Sequence, residues 1–436
     1  MAELTPYEQL LLELVNRARL NPNGEAARYG IRVNEDLPAG TLDSSVRQPL
    51  APNSLLADAA LDHSNWMIDN NIFSHFGAGN SLPGDRIKAA GYVFSGTWNW
   101  GENVAWQGTT GTPNLEAFTL QLHRDLFLSP NHRFNILNGE FRELGTGIAS
   151  GRFTSGGATY NSVMATENFA LSGPAKFITG VAINDLDGDN FYDIGEAHGG
   201  VIVTVTHGGS PHGSDATASA GGYAVSFAGG SADVTFSGGG LPTGVTVSIE
   251  AGDQNAKVDL VNTQTVLSSA TAELGAGAVN LVLLGAANIA ATGNALANMI
   301  CGNVGANVLN GMDGDDTLVG GYDGDILTGG AGRDTFDFNS RSESGRAWGT
   351  FDTVTDFTSS IDVIDLSTID ARTHVRGNQD FRWIGTKDFH HKAGELHYQR
   401  VGSNLVVSGD INGDGKADIS IHLENVSGLS RGDFIL

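Results

Sequence analysis

Residues 293–337 divide into five nines: GNALANMIC, GNVGANVLN, GMDGDDTLV, GGYDGDILT and GGAGRDTFD. The sixth residue is always Asn or Asp (Asn298, Asn307, Asp316, Asp325, Asp334) and the eighth is always apolar (Ile300, Leu309, Leu318, Leu327, Phe336). Each nine holds a glycine turn and a short strand, so successive units stack as a parallel β-roll with the eighth position inside. Stacking also brings the carboxylates of Asp313, Asp316, Asp325 and Asp334 together with turn carbonyls. Such a set suits Ca²⁺, a hard cation that takes roughly six to eight oxygens. A flexible Gly-rich linker accounts for the glycines but not for the period. The first two nines carry Asn at the sixth position, so calcium binding is expected to be weak or absent there. The fourth departs too, with Asp323-Gly324 where Gly-x is expected.

The chain around this roll has 436 residues, enough for two to four domains. Residues 1–173 mix helices and strands. The first helix starts at a capping box, with Thr5 as N-cap, Pro6 next and Glu8 completing it, and stops at Asn21-Pro22. Others are expected over about 54–71, at DRIKAAG, and over about 115–128. Residues 176–284 lose helical periodicity, and alternating runs such as VIVTVTH and ADVTF, parted by Gly-rich turns, read as a small antiparallel β-sandwich. Residues 338–436 are mixed and strand-rich. The fold class is therefore multidomain α+β, with an all-β sandwich, a parallel β-roll and a β-rich C-terminal domain after a mixed first domain.

Charge is uneven. The formal net charge is −25, but residues up to 172 carry 17 Asp+Glu against 11 Lys+Arg, so most of the excess lies further on. That balance argues against a nucleic-acid partner. Two further acidic loops fit calcium. DLDGDNFYDIGE places Asp185, Asp187, Asp189, Asp193 and Glu196 at positions 1, 3, 5, 9 and 12 of a twelve-residue calcium loop, with Asn190 where Gly is usual. DINGDGKAD offers Asp410, Asn412, Asp414 and Asp418 but lacks an acid at the twelfth position. The only cysteine, Cys301, excludes disulfides within the chain and Cys-rich zinc sites. No apolar run approaches the ~20 residues of a transmembrane helix, and the N-terminus lacks the basic start and cleavage site of a Sec signal. Cytosolic calcium is scarce, so the calcium signatures point outside the cell, with export that needs no cleaved N-terminal signal peptide.

Several motifs carry resemblances. The nonapeptides resemble RTX proteins exported by type I secretion. The stretch from GELHYQRVGSNLVV to the final DFIL resembles the serralysin C-terminal domain, so the resemblance implies the type I secretion apparatus as a partner. Serralysin catalysis is not implied, because no HExxH occurs. The strands after residue 196 resemble prealbumin-like repeats of surface proteins. In the first domain, LADAALDHSNWM, NIFSHFG, PGDRIKAAGY, GENVA and SPNHRFNIL together resemble the bacterial CAP superfamily. That resemblance implies an α-β-α sandwich over residues 1–173 whose cleft gathers His63, His75, Glu102, His132 and Glu167. Where many relatives read HYTQ, this chain reads MATE, so Met164 stands in place of a cleft His and Glu167 in place of the Gln.

Imidazoles with one carboxylate suit Zn²⁺, and they also suit general acid–base chemistry near neutral pH. His63 has a plainer reading as a half-buried helix histidine, and His123, His390, His391 and His397 read as surface or incidental. Three functions remain open. The first is a secreted calcium-binding protein whose cleft takes a lipid, a small hydrophobic ligand or a cell-surface target, as CAP relatives often do. The second is a metal- or Glu/His-dependent hydrolase, although GxSxG and HExxH are both missing. The third is a structural or adhesive surface protein.

Overall fold

The computed structural model describes residues 3–345 and 350–436. Its contacts group the chain into two compact units: residues up to 244 with 251–263, and residues 245–250 with 264–436. The chain has an N-terminal helical region and a large β-rich C-terminal region with parallel sheets.

The first unit opens with helix α1, Pro6–Leu20, where Thr5 caps Glu8 N and the Glu8 carboxylate accepts from Thr5 N at 2.8 Å. Helices α2 (Pro22–Arg28), α3 (Ser54–Asp69), α4 (Pro83–Ala89), α5 (Leu115–Leu128) and α6 (Pro130–Ile136) follow. Strands β1 (Ala51–Pro52), β2 (Trp98–Thr109), β3 (Glu143–Ser155) and β4 (Ala158–Ser172) form one sheet in the order β1-β3-β4-β2. Side chains alternate across a strand, and this sheet uses both sides. Val163, Ala165 and Phe169 of β4 pack with Leu11, Leu122 and Phe127 of α1 and α5. Met164 and Ala170 pack on the other face, with Met67, Leu56 and Ile87 of α3 and α4. The LGTG run of β3 lets α3 lie directly on the sheet. A Cβ at Gly145 would fall 2.1 Å from Ala57 N, and one at Gly147 2.1 Å from Leu61 N. Strand β2 ends the sheet, so residues on it can meet α4 on one side and α6 on the other.

The same unit holds strands β5 (Lys176–Ile183), β6 (Val201–His207), β7 (Ser210–Ala216), β8 (Gly222–Phe227) and β9 (Ser231–Gly238). Strand β5 pairs antiparallel with β8 and parallel with Ala256–Val261. Strand β6 lies antiparallel between β7 and β9. A buried polar seam joins these strands to the helical part. Lys257 Nζ reaches Glu13 Oε2 at 2.8 Å and Asp259 Oδ1 at 2.5 Å, while Asn255 Nδ2 donates to Pro49 O and Arg142 O.

In the second unit the roll is built from two parallel stacks. One contains Thr265–Ser268, Asn280–Leu283, Met299–Cys301, Thr317–Val319, Thr335–Asp337, Val363–Asp365 and Phe434–Ile435. The other contains Thr271–Leu274, Ala290–Thr292, Val308–Asn310, Ile326–Thr328 and Thr353–Val354. Met299 faces Thr317 and Thr317 faces Thr335, so one coil spans two nines. The eighth-position side chains Ile300, Leu309, Leu318, Leu327 and Phe336 are all buried. The span 176–284 is thus divided between the units. Its strands up to 261, apart from Val245–Glu250, belong with the helical part, and those from 265 onward stack on the roll. Alternation alone cannot distinguish these cases, because a strand in either sheet buries every second residue. Among the described residues no helix is long and apolar enough to cross a membrane.

Candidate functional site

The cleft is built around Glu102 on β2. The glycine before it sits in tight quarters: a Cβ at Gly101 would lie 3.0 Å from the Phe141 ring and 3.2 Å from Asn135 Oδ1. Glu102 is buried, and both its oxygens are engaged. His75 Nδ1 donates to Oε1 at 2.8 Å, and the Arg86 guanidinium of α4 pairs with Oε2. Arg86 also donates to Ser81 O at 2.9 Å and His75 O at 3.1 Å, which fixes the loop carrying His75. The His132 ring of α6 stands 6.4 Å from the His75 ring. Burial, then His75, holds the His132 imidazole below its ordinary value, which favours the neutral form.

His63 lies to one side of this pair. Its Nε2 donates to Ser74 O at 2.9 Å, its ring stacks on Trp66 with centroids 5.8 Å apart, and its Nδ1 is buried without a partner. Burial pushes its basicity down. Beside it opens a cavity of about 330 Å³ whose walls include Ala59, His63, Trp66, Arg86, Ala89 and Ala90.

Glu167 is not a cleft wall. It is fully buried behind Asn103, whose Nδ2 donates to Glu167 Oε2 at 2.9 Å and to His132 O at 3.2 Å. Asn135 Nδ2 closes the chain by donating to Asn103 Oδ1 and Glu102 O. Burial raises the Glu167 carboxyl to about 7, against the Asn103 bond. Its Oε1 has no partner. Glu167 therefore acts on the cleft through Asn103 and the backbone of α6.

Sequence reasoning missed Arg86, Asn103 and Asn135. The signal for Arg86 was present, because a carboxylate destined for burial demands a cation, but its identity depended on the tertiary fold. His123 was also misread. It is fully buried, and its Nε2 donates to Glu25 Oε1 at 2.9 Å, in a core where Arg17 and Arg28 also pair with Glu25. His397 is buried too. His397 is therefore no surface residue, whereas His390 is exposed, with its Nδ1 donating to Glu395 Oε1 at 3.1 Å. The cleft donors do not fit Zn²⁺. Arg86 and His75 occupy both Glu102 oxygens, and His63 Nε2 is spent on a carbonyl. Among the described residues, the only group of three or more metal-ligating side chains with mutually close ligand atoms is Asp185, Asp187 and Asp189.

Those three open the loop 185–196. Asn190 sits at φ 58°, the left-handed conformation its place in the loop demands. Asp185 accepts from Gly188 N and Asn190 N, while Glu196 accepts from Leu186 N at 2.7 Å and Asp193 N at 3.1 Å. Burial, then Asp189, Glu196 and Asp187, raises the Asp193 carboxyl. The loop 410–418 closes the same way. Asp410 accepts from Gly413 N at 2.6 Å and Gly415 N at 2.9 Å, Asn412 accepts from Asp414 N, and Asp418 accepts from Ile411 N and Asn412 N.

In the roll the sixth positions form buried ladders. Asn298 N donates to Asp316 Oδ1 at 2.7 Å, and Asp316 N to Asp334 Oδ1 at 3.0 Å. Asn307 N donates to Asp325 Oδ1 at 2.7 Å. The ladders run on past the repeats, with Asp325 N donating to Asp352 Oδ1 and Asp334 N to Asp362 Oδ1. Asp352 and Asp362 were missed because they fall 27 and 28 residues on, where the ladder's step within the repeats is 18. Their local signature, Asp-x-apolar in DTV and DVI, was legible. Asp313 stands apart, exposed in a bridge between residues 313 and 331. The Oδ2 atoms of Asp316, Asp325, Asp334 and Asp352 are buried without a partner. Burial, more than neighbouring carboxylates, raises Asp316 to about 6, Asp325 to about 7 and Asp352 to about 9. The Asn residues differ: Asn298 Nδ2 donates to Val279 O at 2.8 Å and Asn307 Nδ2 to Ile289 O at 3.1 Å. Four orphaned carboxylate oxygens in a carbonyl-rich setting fit Ca²⁺.

Comparison with known proteins agrees with this division. Residues 12–166 match the cysteine-rich secretory protein family model, CAP, and residues 283–436 match the peptidase M10 serralysin C-terminal model. No curated protein matches the chain. Among solved structures, an extracellular protein containing an SCP domain from Bacillus anthracis is 25% identical over 39% of this chain, with a TM-score of 0.24. This chain covers 44% of that protein, less than half its length. A subunit of the mannuronan C5-epimerase of Azotobacter vinelandii is 27% identical over 34% of this chain and 76% of its own, with a TM-score of 0.25. The chain thus carries a CAP domain near its N-terminus and a serralysin-type C-terminal domain at its end.

Proposed function

We propose that this is a secreted, calcium-dependent CAP protein that leaves the cell by type I secretion and binds a small, partly apolar ligand beside its cleft. The observation that carries the calcium half is the set of buried, unpartnered oxygens on Asp316, Asp325, Asp334 and Asp352. A carboxylate in that state is costly unless a cation joins it. Extracellular calcium modules bind at about 10⁻⁴–10⁻³ M, so the roll would close only outside the cell. The loops 185–196 and 410–418 are further calcium sites on this reading, and the zones 1–173, 176–284, 293–337 and 338–436 are its working parts.

Binding is favoured over hydrolysis at the cleft because Arg86 and His75 already occupy both oxygens of Glu102. The adjoining cavity offers Trp66 and four alanines, a surface for an apolar group. The test is titration of the full-length protein, in calcium, with a fluorescent fatty acid. Ala89→Trp, at an exposed position on the cavity wall, should weaken binding at least tenfold. Unchanged binding would sink the cavity as the ligand site. A second reading, a hydrolase using neutral His132 near the His75–Glu102 pair, predicts ester cleavage lost in His132→Ala.

A further inference from the structure

The chain has 24 Lys+Arg against 49 Asp+Glu, and residues 264–337 contain a single cation, Arg333. Residues 371–400 reverse that balance, with six Lys and Arg against three Asp and Glu. The fold gathers part of this excess around one cavity of about 410 Å³, lined by Arg372, His374, Arg382, His391, Lys392 and the single carboxylate Glu395. In a chain with twice as many acids as bases, three cations facing one cavity would be expected to find carboxylate partners. Among the described residues Arg372, Arg382 and Lys392 form no ion pair. Glu395 is spent elsewhere, accepting from His390 N at 2.7 Å and His390 Nδ1 at 3.1 Å.

The cavity is built rather than incidental. Arg372 lies across Gly394, where a Cβ would stand 2.9 Å from its Nε, and Gly394 adopts φ +85°. That Nε is buried and has no acceptor. A buried guanidinium donor without a partner carries a desolvation cost that an anion would relieve. His391 is held with its Nδ1 donating to Asp414 O at 3.0 Å. Asn412 and Gly413 of the loop 410–418 complete the wall.

We propose that this cavity is an oxyanion-binding site, with Arg372, Arg382 and Lys392 holding a sulfate, phosphate or carboxylate group carried on a small polar body. The planar Arg fork matches such groups in paired hydrogen bonds, and Lys adds a point charge. The volume falls at the lower end of ligand pockets and exceeds what a bare ion fills. Val375 and Ala393 are the only apolar walls, so an acyl chain is the wrong occupant. The group could arrive on a free small molecule or as a substituent of an anionic polymer.

Calorimetry on the full-length protein in millimolar calcium separates these sources, with inorganic sulfate as one probe and dextran sulfate as the other. Arg372→Gln/Arg382→Gln should weaken binding at least tenfold, and Lys392→Gln, at an exposed position that folding does not need, a few-fold. Arg376→Gln, outside the cavity, should leave it unchanged. Circular dichroism checks that each variant keeps its fold. Sulfate binding with this pattern supports the site with a free ligand. Binding of the polymer alone, with the same pattern, supports it with a polymer as source. Binding of neither probe, or equal weakening by Arg376→Gln, overturns it.

Discussion

Glu102 in the first unit and Asp325 in the second are both buried carboxylates, with 6% and 1% of their surface exposed. Glu102 meets Arg86 and His75. Glu25 meets Arg17, Arg28 and His123, and although burial pulls it upward, His123 and Arg17 hold it down at about 2. Asp325 meets one backbone N–H, and its second oxygen meets nothing. Residues 264–337 could not supply more, with one Arg against eight Asp and Glu. At these sites the first unit carries its own counter-charges. The second leaves carboxylate oxygens without a partner, and on the proposed reading calcium from the medium supplies it.

The largest effect should come from removing calcium. Chelation should abolish the cooperative melting transition of the second unit and expose residues 264–436 to proteases, while the transition of the first unit moves by only a few degrees. Each site saturated at a hundred times its Kd contributes about 2.7 kcal/mol, so several sites exceed the stability of a typical domain. Identical melting in calcium and in chelator would break the comparison.

Next in size is the converse experiment in the first unit. Arg86→Gln strands Glu102 without its guanidinium and should cost roughly 3–5 kcal/mol, as for other broken buried pairs. Arg86→Gln/Glu102→Gln should recover most of that loss in denaturant unfolding. A loss that the double variant does not recover would show that Arg86 matters for packing rather than for charge.

The sequence disclosed these features unevenly, and the reason is distance along the chain. The period of nine lies within 45 residues, so both the buried eighth positions and the Asp column could be read directly. Thr5 and Glu8 are three residues apart, and their capping box was equally legible. Asp352 and Asp362 follow an insertion that breaks the 18-residue step, and only the pairings of Ile326 with Thr353 and of Thr335 with Val363 reveal their places. The partners Glu25 and His123 lie 98 residues apart. The seam of Lys257 with Glu13 depends on α1 meeting a strand from the far end of the unit. Pairs of that kind have no local signature.

Glu167 is an exception within the first unit, since it is buried with only Asn103 for a partner and sits at about 7 rather than its ordinary value. A raised carboxyl stabilises the fold fully below its unfolded value near 4.5, and that contribution is lost as pH rises through about 7. The first unit should therefore lose about 3 kcal/mol between pH 4.5 and 8. Glu167→Gln should flatten that slope while leaving stability at pH 4.5 little changed. An unaltered slope would place the titration elsewhere.

The smallest effect offers the finest version of the comparison, because it lies inside the roll. Asn307 satisfies its own amide by donating to the carbonyl of Ile289, whereas Asp325, one coil further on, leaves an oxygen bare. Asp325→Asn would remove the buried charge and turn an orphaned acceptor into a donor beside turn carbonyls. In chelator it should stabilise the second unit by about 1 kcal/mol, the scale of one satisfied hydrogen bond. In calcium the sign should reverse, because an amide is a poorer ligand than a carboxylate, and affinity should fall about tenfold. A variant that destabilises the roll in both conditions would mean that Asp325 is held by packing, and that the contrast between Asn and Asp repeats is not a contrast in charge.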